Sequence, residues 1–322
     1  MVAFMAFGWV NWATGSRYAL AMELFAPKKT VDCAGRLLIL DRPRIAGIVN
    51  VTPDSFSDGG RHFDPQAAIE HGLRLVAEGA DLLDIGAEST RPGADDVSAD
   101  EEIARVVPVV AALAAQTDVP ISIDTSKPEV MRAAIEAGAG MINDVRALRA
   151  VGALEAAAAL GVPVCLMHML GEPRTMQDDP HYDDVVGIVH RFLAERIFAC
   201  QMAGIQTTKL LVDPGFGFGK TLEHNLSLLR DVSRFAELAP VMVGLSRKGM
   251  IGTMTGREQP DQRAAGSAAA ALIAVQRGAM IVRVHDVGPT RDALLVWNAV
   301  SAGDRKPPTR KAAAPTGLWD DD

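Results

Sequence analysis

Apolar residues along this chain fall into short blocks, each closed by a polar or charged side chain and most followed by a segment with helical spacing. The block Ile45-Ala-Gly-Ile-Val-Asn50 shows the form most fully. It runs into Val51-Thr-Pro-Asp-Ser-Phe-Ser-Asp-Gly-Gly60, where Pro53, Gly59 and Gly60 mark a loop. Asn50 is thereby placed at the carboxyl end of a buried strand. Residues Arg36 to Arg44 are expected to add a small strand or hairpin ahead of it. Asp64 followed by Pro65 predicts a capped helix start, and Ile69, Leu73 and Val76 keep helical spacing up to Gly79.

The same unit recurs. Leu82-Leu-Asp-Ile-Gly-Ala87 leads through Glu88-Ser-Thr-Arg-Pro-Gly93 to a helix expected from Ala99 to Ala115. Val119 to Asp124 precedes a helix from Pro128 to Ala137, and Gly140 to Asp144 precedes an alanine-rich helix expected from Ala147 to Leu160. Val162 to His168 is followed by an insertion, Leu170 to Asp184, and a helix to Met202. Lys209 to Asp213, Val241 to Leu245 and Met280 to His285 complete the series, with helices expected from Thr221, after Asp261 and up to Ala299. Strands that alternate singly with helices require parallel connections. Eight such units in roughly 260 residues predict an α/β fold closed as a (β/α)8 TIM barrel. The barrel is expected over residues 36–303, after a loosely ordered extension over 1–35 and before a disordered tail over 304–322 that is rich in Pro, Lys and Ala.

Composition narrows the partners. The 322 residues are 48% hydrophobic, enough for a large core, and carry a formal net charge of -8. An acidic chain argues against a nucleic-acid partner, so any anionic ligand must be met by local cations. Met1 to Phe25 is apolar but interrupted by Asn11 and Arg17, and it lacks a basic start, so neither a signal peptide nor a membrane span is expected. Cys33, Cys165 and Cys200 are too far apart for a zinc site or a disulfide framework, which fits a cytoplasmic protein.

In such a barrel the chemistry sits where the strands end. Asn50, Glu88 to Arg91, Asp124, Asn143, Met167-His168, Asp213, Lys248, Arg283 and His285 all fall at strand ends. Glu88 and Asp144 also suit purely structural roles, and Asp84 lies inside its strand, facing either the helix layer or a backbone partner. Carboxylates accept from paired ring N–H and amino groups, Asn supplies one donor and one acceptor, and Lys donates to oxygen or ring nitrogen. Asp124, Asn143, Asp213 and Lys248 therefore suit a guanidine-like heterocycle such as a pterin or guanine. Arg283, His285, Asn50 and Arg91 suit a phosphate or pyrophosphate on that ligand. The segment Pro214-Gly-Phe-Gly-Phe-Gly-Lys-Thr221 nearly matches a phosphate-binding loop, but Pro214 replaces the first required glycine. Glycines that let Phe216 or Phe218 approach a flat ligand explain it better.

The segments Asn50 to Gly60, Glu88 to Gly93, Ser122 to Thr125, Ile142 to Val145, Val212 to Lys220, Ser246 to Lys248 and Arg283 to Val287 resemble those of the dihydropteroate synthase family, the folate-pathway enzymes that sulfonamides inhibit. The resemblance covers about Ile45 to Ala299. It implies a (β/α)8 barrel, commonly a homodimer, that joins 6-hydroxymethyl-7,8-dihydropterin pyrophosphate to p-aminobenzoate with Mg²⁺ and releases pyrophosphate. It implies a catalytic set of Asn50, Asp54, Arg91, Lys248, Arg283 and His285. Asp124, Asn143, Met167, Asp213, Lys248 and Arg283 would hold the pterin, and Asn50, Thr90, Arg283 and His285 the pyrophosphate. Phe56, Thr90, Pro92, Phe218 and Ser246 would form the p-aminobenzoate pocket, with Asn50 the Mg²⁺ ligand. The chain departs from many relatives at Leu170 and from some at Gly249, which removes a hydroxyl near the p-aminobenzoate carboxylate. Two alternatives share the barrel: a methyltetrahydrofolate-corrinoid methyltransferase, whose substrate has no pyrophosphate, and a non-catalytic pterin-binding paralogue.

Overall fold

The structure is a computed structural model that describes residues 30–52, 64–88, 97–171 and 175–301. Two short strands, β1 (Thr30–Cys33) and β2 (Arg36–Ile39), pair antiparallel across a two-residue turn. Ala34 and Gly35 both have positive φ there, 53° and 89°, the hand of turn that matches strand twist. The hairpin thus begins at Thr30, inside the segment expected as an extension.

Eight parallel strands follow: β3 (Arg44–Asn50), β4 (Leu82–Gly86), β5 (Ile121–Asp124), β6 (Met141–Asp144), β7 (Val164–Met167), β8 (Leu210–Asp213), β9 (Val241–Val243) and β10 (Ala279–Val284). They pair in chain order and close through β10 against β3, giving the (β/α)8 barrel that the alternation predicts. Because the pleat alternates, one set of side chains faces the helices. Ile45, Val49, Ile85, Ile123, Leu166, Val212 and Val282 belong to the large core formed there. The other set fills the barrel. Its lower layer, including Leu82, Met141, Leu211, Met242 and Ile281, packs with Val31, Cys33, Leu38 and Leu40 of the hairpin, which closes that mouth. Burying each such side chain contributes roughly 1.5–3 kcal/mol. The approach is close at Gly140, where a Cβ would lie 2.3 Å from the Cys33 carbonyl oxygen.

The α-helices among the described residues are α1 (Pro65–Glu78), α2 (Ala99–Gln116), α3 (Pro128–Glu136), α4 (Ala153–Leu160), α5 (Val185–Met202), α6 (Leu222–Arg230), α7 (Val232–Ala236), α8 (Gly249–Thr255), α9 (Ala264–Gln276) and α10 (Val287–Ser301). Helix α1 is bounded as its sequence requires: Asp64 caps it, Pro65 opens it and Gly79 ends it at φ 106°. Helix α4 starts six residues later than expected from Ala147, since its first residue is Ala153. The reason is Asp144, whose carboxylate accepts from the backbone N–H groups of Arg146 at 2.8 Å and Leu148 at 2.7 Å. Those bonds hold Ala147 and Leu148 at φ 53° and 57°, where no right-handed helix can run. No described helix is long and apolar enough to cross a membrane.

Candidate functional site

The register sets the level of each polar side chain. Asn50 pairs with Gly86, Asp124 with Asn143, and Met167 with Asp213, so residues far apart in sequence reach one end of the barrel together. A cleft of about 1190 Å³ opens there, lined among others by Asn50, Thr52, Asp124, Phe218, Ser246, Lys248, Arg283 and His285. Asn143, Met167 and Asp213 lie just inside, each 4% exposed.

Charge within the barrel centres on Arg283. Its Nε donates to Asp84 at 2.5 Å and its Nη2 to Asp124 at 2.6 Å. Burial disfavours its charge, yet Asp84 and Asp124 more than offset that and move its pKa upward. Asp124 is pushed up to about 7 by burial, against the pull of Arg283. Asp84, 1% exposed, also accepts from the side-chain amide of Asn143 at 3.1 Å. It therefore holds two candidate ligand groups from one carboxylate, and it turns Asn143 so that the amide oxygen is left for another donor. Asp84 faces the barrel interior, so both roles expected of it, toward the helix layer or a backbone partner, are corrected. The pleat decides it: with Leu82 inside, Asp84 must be inside too.

Opposite this group, Asp213 accepts from the Gly215 N–H at 2.7 Å, and burial raises its pKa against the pull of Lys248. Lys248 donates to the Phe216 carbonyl and sets its ammonium 4.6 Å from the centre of the Phe218 ring. Burial lowers its pKa to about 8, with Asp213 pulling the other way. Phe216 is fully buried, whereas Phe218 stands in the cleft wall. The two rings thus divide, one packed in the core and one lining the cleft.

Past the ends of β9 and β10, Ser246 accepts from the His285 backbone N–H at 3.1 Å and lies 3.1 Å from His285 Nδ1. Glu88 and Glu102 both accept from Lys127, at 2.5 and 2.8 Å, which gives Glu88 a structural partner. Gly249 begins α8 with nothing within 4 Å of where its Cβ would be, and Leu170 packs against Gly219. The expected site residues Asp54, Phe56, Thr90, Arg91 and Pro92 lie outside the described residues.

Two further buried residues, Asp84 and Lys220, bear on the cleft. Asp84 carried a signal, a lone charge inside an apolar strand, but not its direction. Lys220, in the segment that nearly matches a phosphate-binding loop, is 3% exposed and its ammonium bonds to the Gly215 and Phe218 carbonyls.

A model of the pterin binding enzyme family matches residues 46–285. The dihydropteroate synthase of Escherichia coli (strain K12) is 51% identical over 287 residues, covering 88% of this chain and 99% of that protein. The structure of Xanthomonas albilineans dihydropteroate synthase with 4-aminobenzoic acid superposes with a TM-score of 0.82 at 64% identity, over 86% of this chain and 99% of the other. The same enzyme in complex with 7,8-dihydropteroate gives a TM-score of 0.78 at 62% identity, over 85% and 99%. Relatives of this kind favour the synthase over the corrinoid methyltransferase. With the barrel, the strand-end groups and these likenesses in agreement, the chain belongs to the pterin-binding enzyme family and, within it, to the dihydropteroate synthases.

Proposed function

We propose that this chain condenses 6-hydroxymethyl-7,8-dihydropterin pyrophosphate with p-aminobenzoate, forming 7,8-dihydropteroate and pyrophosphate. The observation that carries the reading is the meeting of Asp124, Lys248, Arg283, His285 and Asn50 around one cleft, with Asp213 and Asn143 buried at the ends of their strands. Asp213, Asp124 and the Asn143 amide oxygen accept from ring N–H and amino groups, and Lys248 donates to the ring. Charge-assisted bonds of this type contribute about 1.5–3 kcal/mol each. Phe218 offers its face to the arylamine, while His285 and Asn50 meet the pyrophosphate at the opposite edge.

The reacting bonds are few. The C–O bond between the exocyclic methylene and pyrophosphate breaks, its electron pair leaving with pyrophosphate. The arylamine nitrogen then bonds to that carbon and loses a proton. The ring itself carries the transient positive charge, so the residues act by orientation, electrostatic stabilisation and exclusion of water. Mg²⁺ suits this site because Asn50, which would hold it, supplies a hard amide oxygen in the cleft lining. When bound, it offsets charge on the departing pyrophosphate. Three free, buried cysteines support a cytoplasmic setting. Exposed Leu295, Val296 and Val300 on α10 support a homodimer.

Purified protein given both substrates and Mg²⁺ should release pyrophosphate in step with dihydropteroate. Ligand binding with no release would instead favour the non-catalytic paralogue. Asp213→Ala should weaken binding of the pterin by about 2–3 kcal/mol, since ring donors lose a buried carboxylate. Calorimetry that finds near-unchanged affinity would reject the assignment. The lowered pKa of Lys248 has a defined sign: its ammonium donates below about pH 8 and is lost above it. Pterin affinity should therefore fall through about pH 8, and Lys248→Met should remove that limb of the profile.

A further inference from the structure

The segment Pro214 to Thr221 lines the cleft and carries a lysine whose ammonium is bonded within the protein. Lys220 Nζ donates to the Gly215 carbonyl at 2.9 Å, to the Phe218 carbonyl at 3.0 Å and to His168 Nδ1 at 3.0 Å. An ammonium has three N–H donors, and here each has an acceptor inside the protein, so none is left for a phosphate. His168 can accept only if that nitrogen is unprotonated. Its ring is 4% exposed, sits 4.9 Å from the Phe192 ring, and has its pKa lowered to about 3 by burial and by Lys220.

The remaining contacts show what this cation holds. Gly215 approaches strand β7 so closely that a Cβ would lie 1.9 Å from the His168 carbonyl oxygen. Asn225 accepts from the Gly217 N–H at 2.7 Å and donates to the Lys220 and Thr221 carbonyls at 3.3 and 2.7 Å. Between these anchors the loop offers two features to Lys248: the Phe216 carbonyl, which accepts from it, and the Phe218 ring, which lies under it. Gly217 leaves room for the Lys248 stem, whose Cδ would be 3.3 Å from a Cβ at that position.

We propose that Lys220 is a positioning residue for the synthase reaction: by tying the Gly215 and Phe218 carbonyls to His168, it fixes the Phe216 carbonyl and Phe218 ring that aim Lys248 at the pterin. One lysine touches substrate and the other shapes its support. The link to the pterin rests on the proposed function, but the link between the two lysines does not.

A binding cycle with 6-hydroxymethyl-7,8-dihydropterin, which lacks the arylamine that Phe218 would meet, tests the first link. Lys220→Met and Lys248→Met should each weaken the affinity measured by calorimetry by about tenfold or more. The double variant should be no weaker than Lys248→Met alone, because Lys220 acts through Lys248. Losses that multiply would overturn the proposal, as would wild-type affinity in Lys220→Met. The second link is read from a crystal structure of Lys220→Met, in which the contact between Lys248 and the Phe216 carbonyl should be lost. An unchanged loop and contact would overturn it whatever the protein binds. Failure of the wild type to bind this dihydropterin would instead reject the proposed function, and this structural arm would still decide the role of Lys220. If Lys220→Met does not fold, Lys220→Gln keeps two N–H donors for the carbonyls and should show the same binding pattern in weaker form. Failure of both variants to fold would assign Lys220 to the fold rather than to positioning.

Discussion

Asp84→Leu is expected to lose about 3–5 kcal/mol of folding stability, the usual cost of removing one partner of a buried ion pair. The variant should also bind dihydropteroate far more weakly than the wild type. Both effects come from one oxygen: Asp84 Oδ2 accepts from Arg283 Nε at 2.5 Å and from Asn143 Nδ2 at 3.1 Å. A leucine fills much of the volume but accepts nothing, so a guanidinium edge and an amide are left without that partner inside the barrel. The Asn143 amide can then rotate, and its oxygen no longer has a fixed direction toward the ring. Asp84→Asn should fall between the two proteins, because it keeps an acceptor oxygen but not the charge. Denaturant unfolding and calorimetry on the three proteins check this. A leucine variant within about 0.5 kcal/mol of the wild type, an effect typical of an unremarkable surface position, would refute the role assigned to Asp84.

That the barrel could be read from the sequence, and Asp84 could not, has a physical cause. A strand announces itself through a run of apolar residues, and a helix like α1 through local chemistry at both ends, Asp64 with Pro65 and Gly79. Such signals act within a few residues. The late start of α4 depends on Asp144 reaching forward to Arg146 and Leu148, which competes with a helix that alanines alone would favour. The interior of the barrel depends on pairing between strands far apart in sequence. Strand ends gave the correct level for Asn50, Asp124, Asn143, Asp213, Lys248 and Arg283, because parallel strands all finish at the same face. They could not show that Asp84, one pleat lower, would meet Arg283 from the last strand. Nor could they separate Lys248 from Lys220, since both follow strands in glycine-containing loops and only the packing turns one inward. The sequence marks Arg283 as an anion ligand, and among the described residues its side chain bonds to two carboxylates.

Those two carboxylates make Arg283→Met the most severe substitution expected. Without the guanidinium, Asp84 and Asp124 face each other's surroundings in a low-dielectric interior with no bonded cation, again at a cost of about 3–5 kcal/mol near neutral pH. The cost should depend on pH in a definite direction. Asp124 already has its pKa raised to about 7 by burial while Arg283 pulls it down, so removing Arg283 moves it higher still. A carboxyl whose pKa is higher folded than unfolded, where it is about 3.9, takes up a proton on folding. Its neutral form is fully present in both states only below about pH 4, and stability is lost as pH rises from there through the folded value. The gap in Tm between wild type and Arg283→Met should therefore be narrower at pH 5.5 than at pH 8. Activity should behave differently, because a methionine offers neither a partner for Asp124 nor a charge toward pyrophosphate at any pH. Turnover at pH 5.5 should stay low in the variant even where its fold has recovered. A gap in Tm that is constant across this range would show that Arg283 is not the counter-ion of Asp124, and recovery of turnover with stability would show that it serves the fold alone.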